Sequence, residues 1–318
     1  MARFSIGAAF GDAFSLIRRR PLSVWIWGLL LVAPSTATFG LLWPKMGEMF
    51  AAMERETGEG SVRYAGFEQM MQFQALSWLL NIVQLLLMVV VYTAIMRAVL
   101  RPREDSFFSL RLGMDELRVA VAGVALIVGL YAAMIVMLLI GGAIGFAVWN
   151  AGSPMNWLII TGLVVTCIVA IFVAMARFSL IMPASVLYRT FAFAEGWRLG
   201  RGQAGPLFGM MLLLFLLVIV VEVVLVGVGL AVAVAAGASG GIDWASLRSD
   251  GTGSNPFEGL DAALAANWPW FTLGALVLAL VSGLLTTLNI APYASACRQL
   301  AESGTPPLAD EHSPAPAE

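Results

Sequence analysis

A single carboxylate inside an otherwise apolar stretch is the group in this chain best placed to do chemistry. Glu222 interrupts residues 212–226, which carry no other polar side chain. A charged side chain is expensive in that setting and by default marks a function. Two roles stay open for it: an interhelical hydrogen bond, or a site for a proton or substrate. At 1.5 Å per residue it stands about 24 Å along its helix from Pro206. Asn81 and Gln84 on the second apolar run and Thr161 on the fourth fall at a similar depth, which makes them its expected partners. Arg177 lies about 15 Å too far along to pair with Glu222. It sits before Pro183, and Asn289, before Pro292, shares its depth. Its guanidinium either snorkels to headgroup level or binds a lipid phosphate.

The rest of the inventory is negative. The one histidine, His312, falls in the C-terminal tail, so the apolar runs offer no histidine metal site, triad or proton relay. Cys167 and Cys297 sit in or beside apolar runs as small hydrophobes, in no metal or disulfide spacing. Gly141 and Gly145 form a small-xxx-small pair that permits close helix packing. No cofactor, metal or catalytic residue is expected.

Six long apolar runs must position these residues: 22–43, 75–95, 119–149, 157–183, 207–236 and 270–290. Each meets the roughly 20 residues a helix needs to cross a bilayer. Hydrophobic residues are 60% of the chain and charged residues 12%, too apolar for a soluble protein of this size to bury. The expected fold is therefore all-α, a polytopic helical membrane protein. A net charge of −2, with basic residues singly or in threes, gives no case for nucleic acid.

Basic residues orient the set. Arg3, Arg18, Arg19 and Arg20 precede the first run, and Arg97, Arg101, Arg103, Arg111 and Arg118 surround the second connection. Arg177, Arg189, Arg198 and Arg201 surround the fourth, and Arg298 follows the last. The opposite side holds only Lys45, Arg55, Arg63 and Arg248. The positive-inside rule then places both termini in the cytoplasm. Arg18–Arg20 before an apolar run also resembles a signal peptide, but an amphipathic leader and five further runs favour an uncleaved first span.

The chain reads as three units, about 1–106, 107–190 and 191–302, each an interfacial helix, a span out and a span back. Ile6, Phe10, Ala13, Phe14 and Ile17 share one helical face. Phe107, Leu110, Met114, Leu117 and Val121 share another, and Phe193, Trp197 and Ala204 a third. Such helices lie in the membrane interface. The cytoplasmic arginines Arg18, Arg19, Arg20, Arg101, Arg103, Arg198 and Arg201 accompany them. Residues 44–74 and 237–267 are expected as long outer loops, the first with an interfacial helical segment, and 303–318 as a disordered tail.

Several stretches resemble a known family. Arg177-Phe178-Ser179-Leu180 with Pro183, then Ala194 and Trp197-Arg198-Leu199-Gly200-Arg201-Gly202, then Pro292 and Arg298-Gln299-Leu300 are similar to a family of bacterial membrane proteins. That family takes its name from the membrane domain fused to some glycerophosphodiester phosphodiesterases. The resemblance implies a multi-span membrane domain without the phosphodiesterase activity, which belongs to a separate soluble barrel. The expected role is non-catalytic, with membrane lipids and other membrane proteins as partners. A transporter of a small or lipid-like solute is the alternative, and a membrane-embedded enzyme a distant third.

Overall fold

The computed structural model describes residues 4–55, 63–102, 107–111, 113–150, 156–238 and 256–303. Every regular element among them is helical. In chain order these are α1 (Ile6–Arg19), α2 (Pro21–Arg55), α3 (Arg63–Leu100), α4 (Met114–Asn150), α5 (Asn156–Phe178), α6 (Ile181–Tyr188), α7 (Phe193–Gly200), α8 (Ala204–Ala238) and α9 (Pro256–Ser303). Six segments are long and apolar enough to cross a membrane: Pro21–Leu42, Met70–Leu100, Met114–Trp149, Asn156–Tyr188, Ala204–Ala231 and Thr272–Ser303. Their outward faces carry Leu138, Phe146, Leu158, Val226 and many similar side chains in the open. A soluble monomer rarely exposes contiguous apolar surface on this scale, whereas lipid covers it without cost. The protein is a multi-pass membrane protein.

Helix ends follow local chemistry. Ser5 caps α1, its Oγ accepting the Ala8 N–H at 3.3 Å, and Arg18 and Arg19 fill the last turn, where cations suit the helix dipole. Pro21 opens α2 at the first helical position, where its missing N–H had no partner anyway.

Two expectations change. The fourth run does not continue as one helix to Pro183. α5 stops at Phe178, Ser179 and Leu180 form a turn, and α6 begins at Ile181. Pro183 then occupies the first turn of α6, where it neither removes a helical hydrogen bond nor clashes with a preceding carbonyl. The second expected interfacial helix, over 107–117, is also absent. Phe107–Ser109 form a 3-10 turn in which Phe108 and Ser109 both have positive φ, and α4 starts at Met114. Glu116 Oε2 accepts the Gly113 N–H at 2.9 Å, half of a capping box that begins α4 at that point. Of the three stretches expected as interfacial helices, the first and third are helical as α1 and α7, and among the described residues of the second only the start of α4 is α-helical. α2 and α3 extend well into residues 44–74. The glycine-rich stretch 239–255, the tail 304–318 with His312, and Arg103 lie outside the described residues.

The chain divides into two compact units. The first comprises Met1–Arg19, Tyr92–Leu214 and Leu288–Glu318. Its core gathers Leu180, Ala184, Leu207, Met210, Ala296 and Leu300, all buried. α1 and α9 are joined in it by two bonds to Asp12 Oδ2, from Arg298 Nη2 at 2.7 Å and Ser295 Oγ at 2.5 Å. The Ser5 N–H adds a third link, donating to Gln299 Oε1 at 3.0 Å. The second unit comprises Arg20–Val91 and Phe215–Thr287. There α2 meets α9 backbone to backbone: a Cβ on Gly28 would fall 2.7 Å from the Ala279 carbonyl carbon and 2.8 Å from the Gly283 nitrogen. Only glycine fits such an approach.

Candidate functional site

The polar chemistry of the first unit gathers where α3 ends and α4 begins. Arg97, in the last turn of α3, and Arg101, just beyond it, are four residues apart and share a helix face. Arg97 is 4% exposed and Glu116 6% exposed. Charges so buried survive only when paired. Arg97 Nη2 donates to Glu116 Oε1 at 2.5 Å, and its Nη1 donates to the Ser109 carbonyl at 2.9 Å. The positive φ at Phe108 and Ser109 accompanies that second bond. Asp115 Oδ2 accepts from Arg101 Nη1 at 3.0 Å and lies 3.7 Å from Arg97 Nε, while its Oδ1 accepts from Arg118 Nη1 at 2.8 Å. Arg101 Nη2 also donates to the Val186 carbonyl, which ties this junction to α6.

A second feature lies where α5, α6 and α7 meet. α7 packs closely through two glycines: a Cβ on Gly196 would lie 2.7 Å from Ile181 Cα, and one on Gly200 3.0 Å from the Arg177 carbonyl. This approach sets Trp197 beside Phe178, ring centroids 5.3 Å apart, and brings the Arg177 guanidinium 5.4 Å from the Trp197 ring centroid, within cation–π range. Arg177 Nε is buried with no hydrogen-bond partner. Beside this corner opens a cleft of about 440 Å³ between α4 and α5–α7, lined by Ala125, Leu126 and Gly129 on α4 and by Phe178, Ile181 and Trp197 opposite. The lining is almost wholly apolar. Arg177, Phe178, Trp197 and Gly200 thus meet at one place.

The remaining candidates scatter. Glu222 is exposed on α8 and makes no hydrogen bond or ion pair among the described residues. The expected partners do not reach it. Asn81 Nδ2 donates to the Ser77 carbonyl of its own helix at 2.8 Å, and Gln84 Nε2 donates to the Leu31 carbonyl of α2 at 3.1 Å. Thr161 is exposed on α5 and Asn289 exposed on α9. Arg18, Arg19, Arg198 and Arg201 are exposed near the ends of α1 and α7, and Arg20 precedes α2. Among the described residues no cluster of His, Cys, Asp or Glu offers a metal site.

Sequence reasoning counted Arg97 only as a topological charge and passed over Asp115, Glu116 and the Asp12–Arg298 pair. A signal for the first set existed: a basic pair four residues apart, then two adjacent acids opening the next apolar run. No family model, curated protein or solved structure matches this chain.

Proposed function

We propose that this is a non-catalytic protein of a bacterial inner membrane that binds phospholipid at the cleft between α4 and α5–α7. The observation that carries the reading is the pairing of an apolar cleft of about 440 Å³ with Arg177, whose guanidinium lies beside Trp197 at the cleft wall. An acyl chain suits the lining, since burying it removes apolar surface from competing contacts without stranding a polar group. Arginine and tryptophan together suit the boundary between chain and headgroup. The resemblance to the membrane domain of some glycerophosphodiester phosphodiesterases implies a multi-span membrane domain without the phosphodiesterase activity. Glu222, on which a transport reading depends, has no described polar partner and lends that alternative no support.

Purification in mild detergent with native mass spectrometry tests the reading. Wild type should retain phospholipid, and Gly129→Phe should retain less than half as much. Gly129 lines the cleft and has nothing within 4 Å of where its Cβ would be, so the new side chain starts from open space. Recovery of lipid-free wild type, or equal retention by both, would sink the proposal. The cytoplasmic placement of both termini rests on the arginine asymmetry. With Cys167 and Cys297 replaced, a cysteine at Ser61 or Ser249 should label from outside intact cells and one at Ser303 should not. Ser109 is 2% exposed and would be a poor reporter.

A further inference from the structure

The charges beside the apolar cleft bear on which phospholipid headgroup it favours. The cleft lining carries no charged side chain. No carboxylate is therefore there to receive the ammonium of a zwitterionic headgroup. On one wall, α4 has no charged residue from Val119 to Asn150. On the other, the segment from the end of α5 through α7, residues 177–201, is described throughout. Its charged residues are Arg177, Arg189, Glu195, Arg198 and Arg201. Arg189 already has a partner. Glu195, the one carboxylate, is exposed and forms no ion pair among the described residues, although Arg198 stands three residues away on the same helix. Arg198 and Arg201 are exposed, and their side chains have no polar partner among the described residues.

Arg177 is the unusual group. It ends α5 and lies within the span Asn156–Tyr188. Its guanidinium faces the Trp197 ring at 5.4 Å, and its Nε is buried with no hydrogen-bond partner. An aromatic face stabilises the cation but offers no lone pair to its N–H donors. A buried donor without an acceptor is costly, and more so on a charged group. The same corner is held rigidly, because Gly200 packs directly on the Arg177 carbonyl and Gly196 on Ile181. Arg177 is thus a fixed cation that lacks an acceptor, beside a cleft that suits an acyl chain.

We propose that the cleft selects an anionic phospholipid, with Arg177 binding the phosphate and Arg198 and Arg201 favouring its net charge from the surface. The inference rests on the lipid reading of the cleft and adds the headgroup class to it. The planar, forked donors of arginine match two phosphate oxygens at once. A zwitterionic lipid brings the same phosphate together with an ammonium, which meets repulsion from these arginines.

The test follows thermal unfolding of the delipidated full chain in an uncharged detergent as lipid is added. A ligand that binds only the folded state raises Tm with its saturation. One arm adds dioleoyl phosphatidylglycerol, and the other dioleoyl phosphatidylcholine, which has the same chains and phosphodiester but a cationic choline. Wild type should reach a given shift at about fivefold less phosphatidylglycerol than phosphatidylcholine, the effect of one basic residue on an anionic headgroup. Arg177→Gln should need about tenfold more phosphatidylglycerol than wild type, as for one charge-assisted hydrogen bond, and its responses to the two lipids should converge. Arg198→Gln, at an exposed position that leaves the fold intact, should lose about twofold at low salt and less as salt rises. Equal responses of wild type to the two lipids would overturn the headgroup assignment and leave the lipid reading standing, and this comparison needs no variant to fold. An unchanged preference in Arg177→Gln would overturn it as well. No response of wild type to either lipid would sink the lipid reading and this inference together.

Discussion

The two compact units solve the same problem by different means. Inside a bilayer, apolar side chains gain little by meeting one another, because lipid tails are as apolar as leucine. Helices must then be held by close packing or by polar bonds. The second unit uses close packing, at the glycine crossing where Gly28 on α2 faces Ala279 and Gly283 on α9. The first unit adds a network of ion pairs to the glycine contacts of α7, with Arg97, Arg101 and Arg118 gathered on Asp115 and Glu116, and Arg298 on Asp12. The difference teaches where function can sit. A glycine crossing has room for nothing but backbone, whereas an ion-pair network brings charge to a surface where a ligand can meet it. The arginine junction of α3 and α4 lies in the first unit, and so does the apolar cleft beside α7.

The sharpest way to break this contrast is Glu116→Ala. It would leave Arg97, 4% exposed, as an uncompensated buried cation. Removing one partner of a buried pair costs about 3–5 kcal/mol, whereas replacing both by apolar groups of similar volume is often close to neutral. Glu116→Ala should therefore lower the thermal midpoint steeply, and Arg97→Met with Glu116→Leu should recover most of the loss. Thermal unfolding in one detergent measures both. A mild effect of the single change would mean that the ion pairs do not hold the first unit together.

The matching change in the second unit is Gly28→Ala. Its Cβ would approach the Gly283 nitrogen to 2.8 Å, so α2 and α9 must separate. Overpacking of this kind costs about 1–3 kcal/mol. Gly40→Ala, on the same helix but with nothing within 4 Å of the new Cβ, should be neutral or stabilising. Equal behaviour of the two variants would remove the crossing as the basis of the second unit.

A smaller loss is expected at the joint of α1 and α9. Asp12→Asn keeps the shape but removes the charge that Arg298 faces at 2.7 Å. With side chains 30% and 37% exposed, the pair is screened, and the loss should be at most about 1 kcal/mol. Raised salt should shrink the difference between variant and wild type. Insensitivity to salt would point instead to the Ser295 hydrogen bond as the main contribution of Asp12.

What the sequence disclosed followed from rules that act locally. Bilayer thickness sets a length, so the six runs were legible, and so was α1, whose cap and apolar face lie within fourteen residues. The end of α5 was not legible from Pro183, because α2 continues through Pro34 and α9 through Pro292, and the break after Phe178 falls before the proline. The middle interfacial helix failed for a different reason. Residues 107–117 have the same apolar spacing as α1, but Gly113 and Glu116 start α4 early, and Ser109 presents its carbonyl to Arg97. The Arg97–Glu116 pair spans nineteen residues and a connection, so only tertiary structure brings it together. Depth along a helix, the basis for grouping Glu222 with Asn81, Gln84 and Thr161, leaves the direction of each side chain unspecified. Asn81 turned to its own helix and Gln84 to α2.

Glu222 gives the smallest expected effect and the finest test of the contrast. It belongs to the second unit, where the close contact of α2 and α9 at Gly28 and Gly283, not charge, joins the helices. It is exposed on α8, with no hydrogen bond or ion pair among the described residues, so removing its charge breaks nothing within the chain. Substitutions away from such contacts usually change stability by no more than about 0.5 kcal/mol. Glu222→Gln should accordingly unfold within that margin of wild type, at any salt concentration. A carboxylate on an outward face of a spanning helix is nonetheless costly, and its charge is bearable only with water or a partner from outside the chain. Repeating the measurement over a range of protein concentrations separates these cases. A Glu222→Gln midpoint that tracks wild type at every concentration leaves the second unit without an ion pair at Glu222. A deficit that grows with concentration would show that Glu222 pairs with another copy, and that charge serves the second unit too.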